Sequence, residues 1–215
     1  MNCIITAGPT HESLDSVRRL TNFSTGKLGV ELANVLTGRG HFVTLLVGES
    51  ATYAGERKAN RVLPFSSTAS LRELLMSFGG DGMEAVFHAA AVSDFSFGSI
   101  QERLPGGEMR DVKAGKLSTR SGSLFVELIP TPKLILEMRG WFPKARLVGW
   151  KYEVDGNHED VLKAARRQLA EAQSNLCVAN GPAYGTGFGL VTSDGERQVL
   201  DAAALYEELA QLLQG

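Results

Sequence analysis

Nine consecutive residues, Thr21-Asn22-Phe23-Ser24-Thr25-Gly26-Lys27-Leu28-Gly29, bring together most of the residue types that grip an anion. Ser24 and Thr25 can cap a helix by accepting bonds from its first free N–H groups. Gly26 admits a ligand close to backbone, and Lys27 sets a cation beside the positive end of the helix dipole. Asn22 adds one donor group and one acceptor group without charge. The same stretch would serve equally as a polar loop capping an ordinary helix, so its meaning depends on what the rest of the chain places beside it.

Further candidates lie downstream. Asp94 follows the small run Ala89-Ala90-Ala91. Its carboxylate can hold a ribose hydroxyl or a magnesium ion, or simply cap a turn, and the alanines leave room for a flat base against backbone. Lys113 and Lys116 sit in a Gly- and Ser-rich segment, where they either close over phosphates or point to solvent. Lys163 and Arg167 are four apart and share one helix face, as a triphosphate clamp or as a solvated pair. Gly8 has no following G-x-x-G, so the dinucleotide fingerprint is absent. No G-x-x-x-x-G-K-[ST] phosphate loop, G-x-S-x-G elbow or Tyr-x-x-x-Lys pair occurs, which weakens a nicotinamide-dependent reductase. His11, His41, His88 and His158 lack metal-ligand spacing.

These residues need a scaffold, and the hydrophobic pattern supplies one. Asn2–Ala7 is an apolar run ended by Gly8-Pro9, a buried strand entering a turn. Residues 10–19 have no strand period and read as a loop or a turn of helix. Over 27–36, Leu28, Leu32, Val35 and Leu36 form the stripe of a helix with one buried face. His41–Val47 is nearly all apolar, as a strand covered on both faces should be. This is a βαβ unit, for which a right-handed crossover is the rule. The alternation continues with a strand at 62–65, a helix capped by Ser66-Ser67-Thr68 and running to about Phe78, and a strand at 85–92. Residues 96–123 lack apolar period and are expected to form a long mobile loop. Then come a strand at 123–129, a helix opened by Pro132, a strand at 145–150, a helix at 159–173 and a strand at 175–179. A hairpin turns at Ser193-Asp194-Gly195, and a last helix is capped by Asp201. The predicted fold is α/β: a Rossmann-like, doubly wound, mostly parallel sheet with a C-terminal hairpin, as one domain over 1–215.

The totals narrow the class. Hydrophobic residues are 43% and charged residues 21% of 215, ordinary for a soluble protein with a substantial core. A net charge of −2 speaks against non-specific nucleic-acid binding. Cys3 and Cys177 each lie in an apolar strand-like run, as core thiols in a reducing compartment. No stretch approaches the ~18 apolar residues of a membrane span, and no leader is evident. A cytoplasmic protein is expected.

The motifs also occur in an order that resembles phosphopantothenoylcysteine synthetase, the synthetase domain of the DNA/pantothenate metabolism flavoproteins. The resemblance rests on Ile5-Thr6-Ala7-Gly8-Pro9-Thr10, Asp15-Ser16-Val17-Arg18, Leu20 to Gly29, Ala89 to Asp94, Lys113-Ala114-Gly115-Lys116, Thr131-Pro132-Lys133-Leu134, Val148-Gly149-Trp150 and Val178-Ala179-Asn180. It implies a ligase of coenzyme A synthesis, which uses CTP or ATP with magnesium to join 4′-phosphopantothenate to cysteine through an acyl-nucleotide. It further implies that Asn22 contacts the acyl intermediate and Lys113 stabilises charge. Gly8, Thr10, His88, Ala89, Ala90 and Asp94 would line the nucleotide; Thr131, Pro132, Lys133, Leu134 and Trp150 would pack base and ribose. Lys163 and Arg167 would take phosphates, and Ser24, Thr25, Gly26, Lys27 and Lys116 the substrate. No metal ligand is assigned. A homodimer is implied. Because the chain begins at the synthetase strand, a free-standing domain without flavin is expected, with a separate decarboxylase. The family's Gly-Phe-Ala-Ala-Glu-Thr reads Gly149-Trp150-Lys151-Tyr152-Glu153-Val154 here, which motivates the alternative of a nucleotide-binding regulatory protein that has lost ligase chemistry.

Overall fold

The computed structural model describes residues 1–80, 82–112, 115–118 and 122–214. Its main sheet is built from β1 (Asn2–Ala7), β4 (Phe42–Gly48), β5 (Arg61–Phe65), β6 (Ala85–His88), β10 (Arg146–Tyr152), β11 (Leu176–Asn180), β12 (Phe188–Thr192) and β13 (Gly195–Val199), in the order β13-β12-β11-β10-β6-β1-β4-β5. The strands from β5 through β11 pair in parallel; β12 and β13 add antiparallel. Strand order reverses between β1 and β6. That makes the crevice beyond their carboxyl ends the switch point, where sheets of this type take ligands.

Two layers of helix cover the sheet because successive side chains on a buried strand face opposite sides. On one side Cys3, Ile5, Val43, Leu45, Phe87 and Val178 pack with α1 (Lys27–Gly38) and α5 (Ala202–Gln211). On the other, Ile4, Leu46, Val86 and Leu147 pack with α2 (Thr68–Ser77) and α3 (Leu134–Trp141), while Cys177 and Val191 meet α4 (His158–Glu171). The stripe of α1 is rotated slightly from expectation: Gly29, Val30, Leu32, Ala33 and Leu36 are its buried residues, with Leu28 and Val35 only partly covered. Both cysteines are buried free thiols, and burial pushes Cys3 up to about 11 and Cys177 up to about 12.

Two expectations fail. Residues 10–19 are not a helical turn: β2 (His11–Ser13) and β3 (Arg19–Thr21) form an antiparallel hairpin inserted in the first crossover. The 96–123 loop is not structureless either. β7 (Phe95–Arg103) pairs antiparallel with β8 (Met109–Asp111) and with β9 (Leu124–Pro130), a three-stranded sheet of its own. The alternation of Phe95 and Phe97 is interrupted by a register shift before Ile100, and that bulge hides the period. Smaller shifts also occur. The strand expected at 85–92 ends at His88, and α3 starts at Leu134 instead of Pro132. There the Thr131 hydroxyl donates to Ser93 O and its N–H to Asp94 O, which keeps the backbone before the helix tied to the sheet edge. Among the described residues, no helix is long and apolar enough to cross a membrane.

Candidate active site at the switch point

The crevice is assembled by backbone first. Beyond β1 and β6, Ala91 N–H donates to Gly8 O at 3.0 Å and Thr10 N–H to Ala91 O at 3.1 Å. Ser93 N–H then donates to the buried Thr10 hydroxyl at 2.8 Å. These bonds zip Gly8-Pro9-Thr10 to Ala91-Val92-Ser93. The Thr21 hydroxyl donates to Thr10 O at 2.8 Å, and Asn22 Nδ2 donates to Ala91 O at 3.0 Å. The stretch from Thr21 to Gly29 therefore does lie against Ala89–Asp94, as one wall of the crevice. Asn22 uses one amide hydrogen on Ala91, which leaves its other N–H and its carbonyl for a ligand.

Three glycines make this approach possible. Gly8 has φ +79°, and a Cβ there would stand 2.7 Å from Ala51 Cβ. Gly26, with φ +83°, would bring a Cβ to 3.2 Å from Gly8 N. A Cβ on Gly29 would lie 2.6 Å from Ala7 Cβ and 2.9 Å from Thr6 O, so α1 packs directly on β1. The tight turn, close backbone approach and close helix–strand packing are the three jobs of a dinucleotide fingerprint. Here they are divided between Gly8 and the Gly26-x-x-Gly29 pair, with the β2–β3 hairpin between. A contiguous motif search misses this; the G-x-x-G spacing at the helix start was the available signal. Gly26 is itself the N-cap of α1, in the left-handed conformation, and as a glycine it offers no capping side chain. Thr25, one residue before the N-cap, accepts from Lys27 N–H, the first free N–H of the helix, at 3.3 Å, and no such bond is made by Ser24 among the described residues. Lys27 is exposed and reaches toward Glu31 at 3.8 Å.

On the β6 side, His88 is buried, and burial without a neighbouring carboxylate holds its imidazole at about 4, so it is neutral near pH 7. Ala89 and Ala90 follow it, half-buried. Asp94 is exposed and paired with Lys133. Thr131, Pro132, Lys133 and Leu134 thus stand beside Asp94, Leu134 with its side chain in the core. Asn180 ends β11 and Trp150 lies two residues before the end of β10; among the described residues, Trp150 Nε1 and Asn180 Oδ1 are buried without a partner. Lys116 is exposed but its segment is fastened. Leu117 N–H donates to Asp15 Oδ2 at 3.0 Å, and Arg18 Nη2 donates to Leu117 O at 2.7 Å. Asp15, its side chain 1% exposed, also accepts from Val17 and Arg18 N–H. The Leu117 N–H is the leading cause that holds its carboxyl at about 2. Lys113 lies outside the described residues.

Lys163 and Arg167 stand on the exposed face of α4, and Arg167 pairs with Glu171 at 2.7 Å. The side chain that α4 extends to β10 is Gln168, whose Nε2 donates to Trp150 O at 3.1 Å. Among the described residues, no group of three or more His, Cys, Asp or Glu can hold a metal ion. At the crevice Asp94 is an exposed carboxylate. Such a donor suits a hard cation that keeps most of its shell as phosphate and water oxygens.

Residues 1–212 match the family described as the DNA/pantothenate metabolism flavoprotein C-terminal domain. Among curated relatives, the coenzyme A biosynthesis bifunctional protein CoaBC of Thermococcus kodakarensis is 34% identical over 177 residues, 82% of this chain and 40% of the relative. The CoaBC of Bacillus subtilis is 31% identical over 219 residues, 98% of this chain and 50% of the relative. The chain thus spans about half or less of the length of these proteins. The solved DNA/pantothenate metabolism flavoprotein from Streptococcus pneumoniae superposes with a TM-score of 0.87 at 24% identity, covering 100% of this chain and 98% of that one. A Cab2 mutant solved in complex with phosphopantothenate-cysteine superposes with a TM-score of 0.67 at 18% identity, covering 100% and 89%. These likenesses support the Rossmann-like fold.

Proposed function

The chain belongs to the DNA/pantothenate metabolism flavoprotein C-terminal domain family, and from that premise we propose that it is a ligase joining 4′-phosphopantothenate to cysteine. The observation that carries this reading is the bond from Asn22 Nδ2 to Ala91 O, which seats an uncharged amide at the switch point. In the first step a substrate carboxylate oxygen attacks the α-phosphorus of CTP or ATP, and pyrophosphate leaves with the α–β bridging electrons. In the second, the cysteine amine attacks the acyl carbonyl, loses a proton, and the nucleoside monophosphate leaves. Asn22 orients that carbonyl and stabilises charge on its oxygen. Gly8, Thr10, His88, Ala89, Ala90, Asp94, residues 131–134 and Trp150 hold the nucleotide. Ser24, Thr25, Gly26 and Lys27 face the substrate's anionic end, with Lys113 and Lys116 adding positive charge. Magnesium would supply charge neutralisation on the triphosphate, and Asp94 is the carboxylate of the crevice that would share in holding it.

The apolar side chains left open around this site favour a homodimer. Phe23 is fully exposed, and Leu20, Phe95, Phe125, Leu128 and Ile129 are exposed on the hairpin and small sheet. A second copy of the chain would cover them. The cysteinyl product of the ligation would pass on to a decarboxylase. The second reading, a nucleotide-binding regulator without turnover, draws on the changed segment Gly149-Trp150-Lys151-Tyr152-Glu153-Val154, in which Lys151 pairs with Glu153 at 2.9 Å.

A pyrophosphate-release assay with phosphopantothenate, cysteine and CTP or ATP tests the ligase. Turnover with one of the nucleotides is expected; binding without turnover would instead favour the regulator. Asn22→Asp should lower kcat by about 10²-fold or more, as loss of one preorganised donor does, while nucleotide affinity stays close to that of the unaltered protein. Normal turnover by this variant would remove Asn22 from the reaction.

A further inference from the structure

His88 closes β6 at the switch point with only 7% of its surface exposed, yet neither step of the acyl transfer requires an imidazole there. Its surroundings fix more than its position. Thr6, fully buried on β1 and in register with His88, places Oγ1 at 2.9 Å from His88 Nδ1. The same oxygen accepts from Ala90 N–H at 3.1 Å. With the amide as donor, the Thr6 hydroxyl proton has Nδ1 as its acceptor, and Nδ1 must then be bare. The other tautomer would make Oγ1 accept twice and bury its own proton without a partner, at a cost of about 1–3 kcal/mol. The imidazole proton therefore belongs on Nε2.

We infer that Thr6 is a positioning residue that holds His88 as the neutral Nε2–H tautomer, and that this N–H reads an uncharged acceptor atom on the base or ribose of the bound nucleotide. The inference rests on the nucleotide-dependent reading above. Among the described residues Nε2 has no hydrogen-bond partner, and it is not one of the fully buried unpartnered atoms, which are Trp150 Nε1, Ser174 Oγ and Asn180 Oδ1. It is the open end of the ring. Ala89 and Ala90 follow His88 with small side chains; its register partner on β10, Gly149, carries none, and the space above Gly149 is taken by Gln168 and Ile135, which bound that flank. A phosphate oxygen beside Nε2 would draw a second proton onto the ring. The buried surroundings oppose that charge, so a carbonyl, ring nitrogen or hydroxyl is the matching partner.

The test combines 15N-detected histidine NMR with calorimetric titration of CTP and ATP into the unaltered protein, Thr6→Val and Thr6→Ser. The unaltered protein should show a pyridine-like Nδ1 and a pyrrole-like Nε2. Thr6→Val should lose that fixed pattern and bind its preferred nucleotide about tenfold more weakly, the equivalent of one hydrogen bond. Thr6→Ser should restore both, which a merely structural loss would not. A pyrrole-like Nδ1 in the unaltered protein, or equal affinities in the Val and Ser variants, overturns the inference. Thr6-dependent binding without pyrophosphate release would sink the ligase reading and leave this one standing. No binding of either nucleotide would sink both.

Discussion

The two larger sheets of this molecule are made from similar apolar residues and bury them to opposite degrees. In β4, every residue from Val43 to Gly48 is buried between two helix layers. In β9, Phe125 and all of Glu127–Pro130 are exposed, with no helix over them among the described residues. The parallel strands derive their stability from burial on both faces. The antiparallel sheet is held by its ladders and by a few polar ties at its margins, and it leaves apolar surface facing outward. The first region is a scaffold. The second has the properties of a surface completed by something else.

The sharpest way to break this contrast is to make the same change in both regions. Phe87→Ala on β6, where the ring is fully buried, should cost about 3–5 kcal/mol in urea unfolding. Phe125→Ala on β9, whose ring is 41% exposed and stacked under Arg103, should cost less than about 1 kcal/mol. Equal losses would mean that the small sheet belongs to the cooperative core.

Acid should strike the scaffold next. The folded state holds His88 neutral down to about 4, whereas an unfolded chain protonates it near 6.5. Below pH 6.5 the unfolded state therefore binds more protons, and stability falls as pH drops through that window. Between pH 6.5 and 4 the loss should approach about 3 kcal/mol. Urea midpoints measured across this range, compared with those of His88→Gln, isolate the term. A variant with the same slope as the unaltered protein would assign the acid sensitivity to other groups.

What the sequence revealed follows the same division. Runs such as Phe42–Gly48 and the stripe of α1 announce themselves because burial dictates their composition, and the caps at Ser67 and Asp201 are where they were expected. The hairpin β2–β3 and the strands β7 and β8 stay hidden. Three-residue polar strands carry no period, and the bulge between Phe97 and Ile100 breaks the one alternation available. At the site, Gly8–Thr10, Asn22 and Ala89–Asp94 were legible as switch-point chemistry and the fold does bring them together. Thr6 was not, since it acts through His88, 82 positions away; Gly29 stood out in the G-x-x-G spacing, but its close packing on the β1 backbone did not. For Lys163 and Arg167, spacing of four says that two cations share a face; the structure adds that this face of α4 is exposed and that Arg167 pairs there with Glu171.

Asp15 probes the polar ties themselves. Its carboxylate accepts from Leu117, Val17 and Arg18 N–H, which fastens the 115–118 segment to the loop before β3. Asp15→Asn puts donors where acceptors are needed. Limited trypsin digestion should then cut after Lys116 several-fold faster, while the urea midpoint of the scaffold moves little. If the cleavage rate is unchanged, Asp15 is not what anchors that segment.

The smallest effect on the fold should accompany the clearest effect on assembly. Leu128 is 49% exposed on β9, opposite Phe97 in the ladder, and Ile129 beside it is also open. A charge at this position displaces no core packing, so Leu128→Glu should change the unfolding free energy of the separated chain by no more than about 0.5 kcal/mol. In a dimer that covers this sheet, two such carboxylates would be desolvated without partners, and the association should weaken by at least tenfold. Light scattering across a dilution series reads the assembly, and urea unfolding at low concentration reads the fold. A variant that stays dimeric with an unchanged dissociation constant would place the subunit contact elsewhere. A variant that dissociates yet retains pyrophosphate release would show that each chain carries a complete site, with the exposed sheet serving assembly alone.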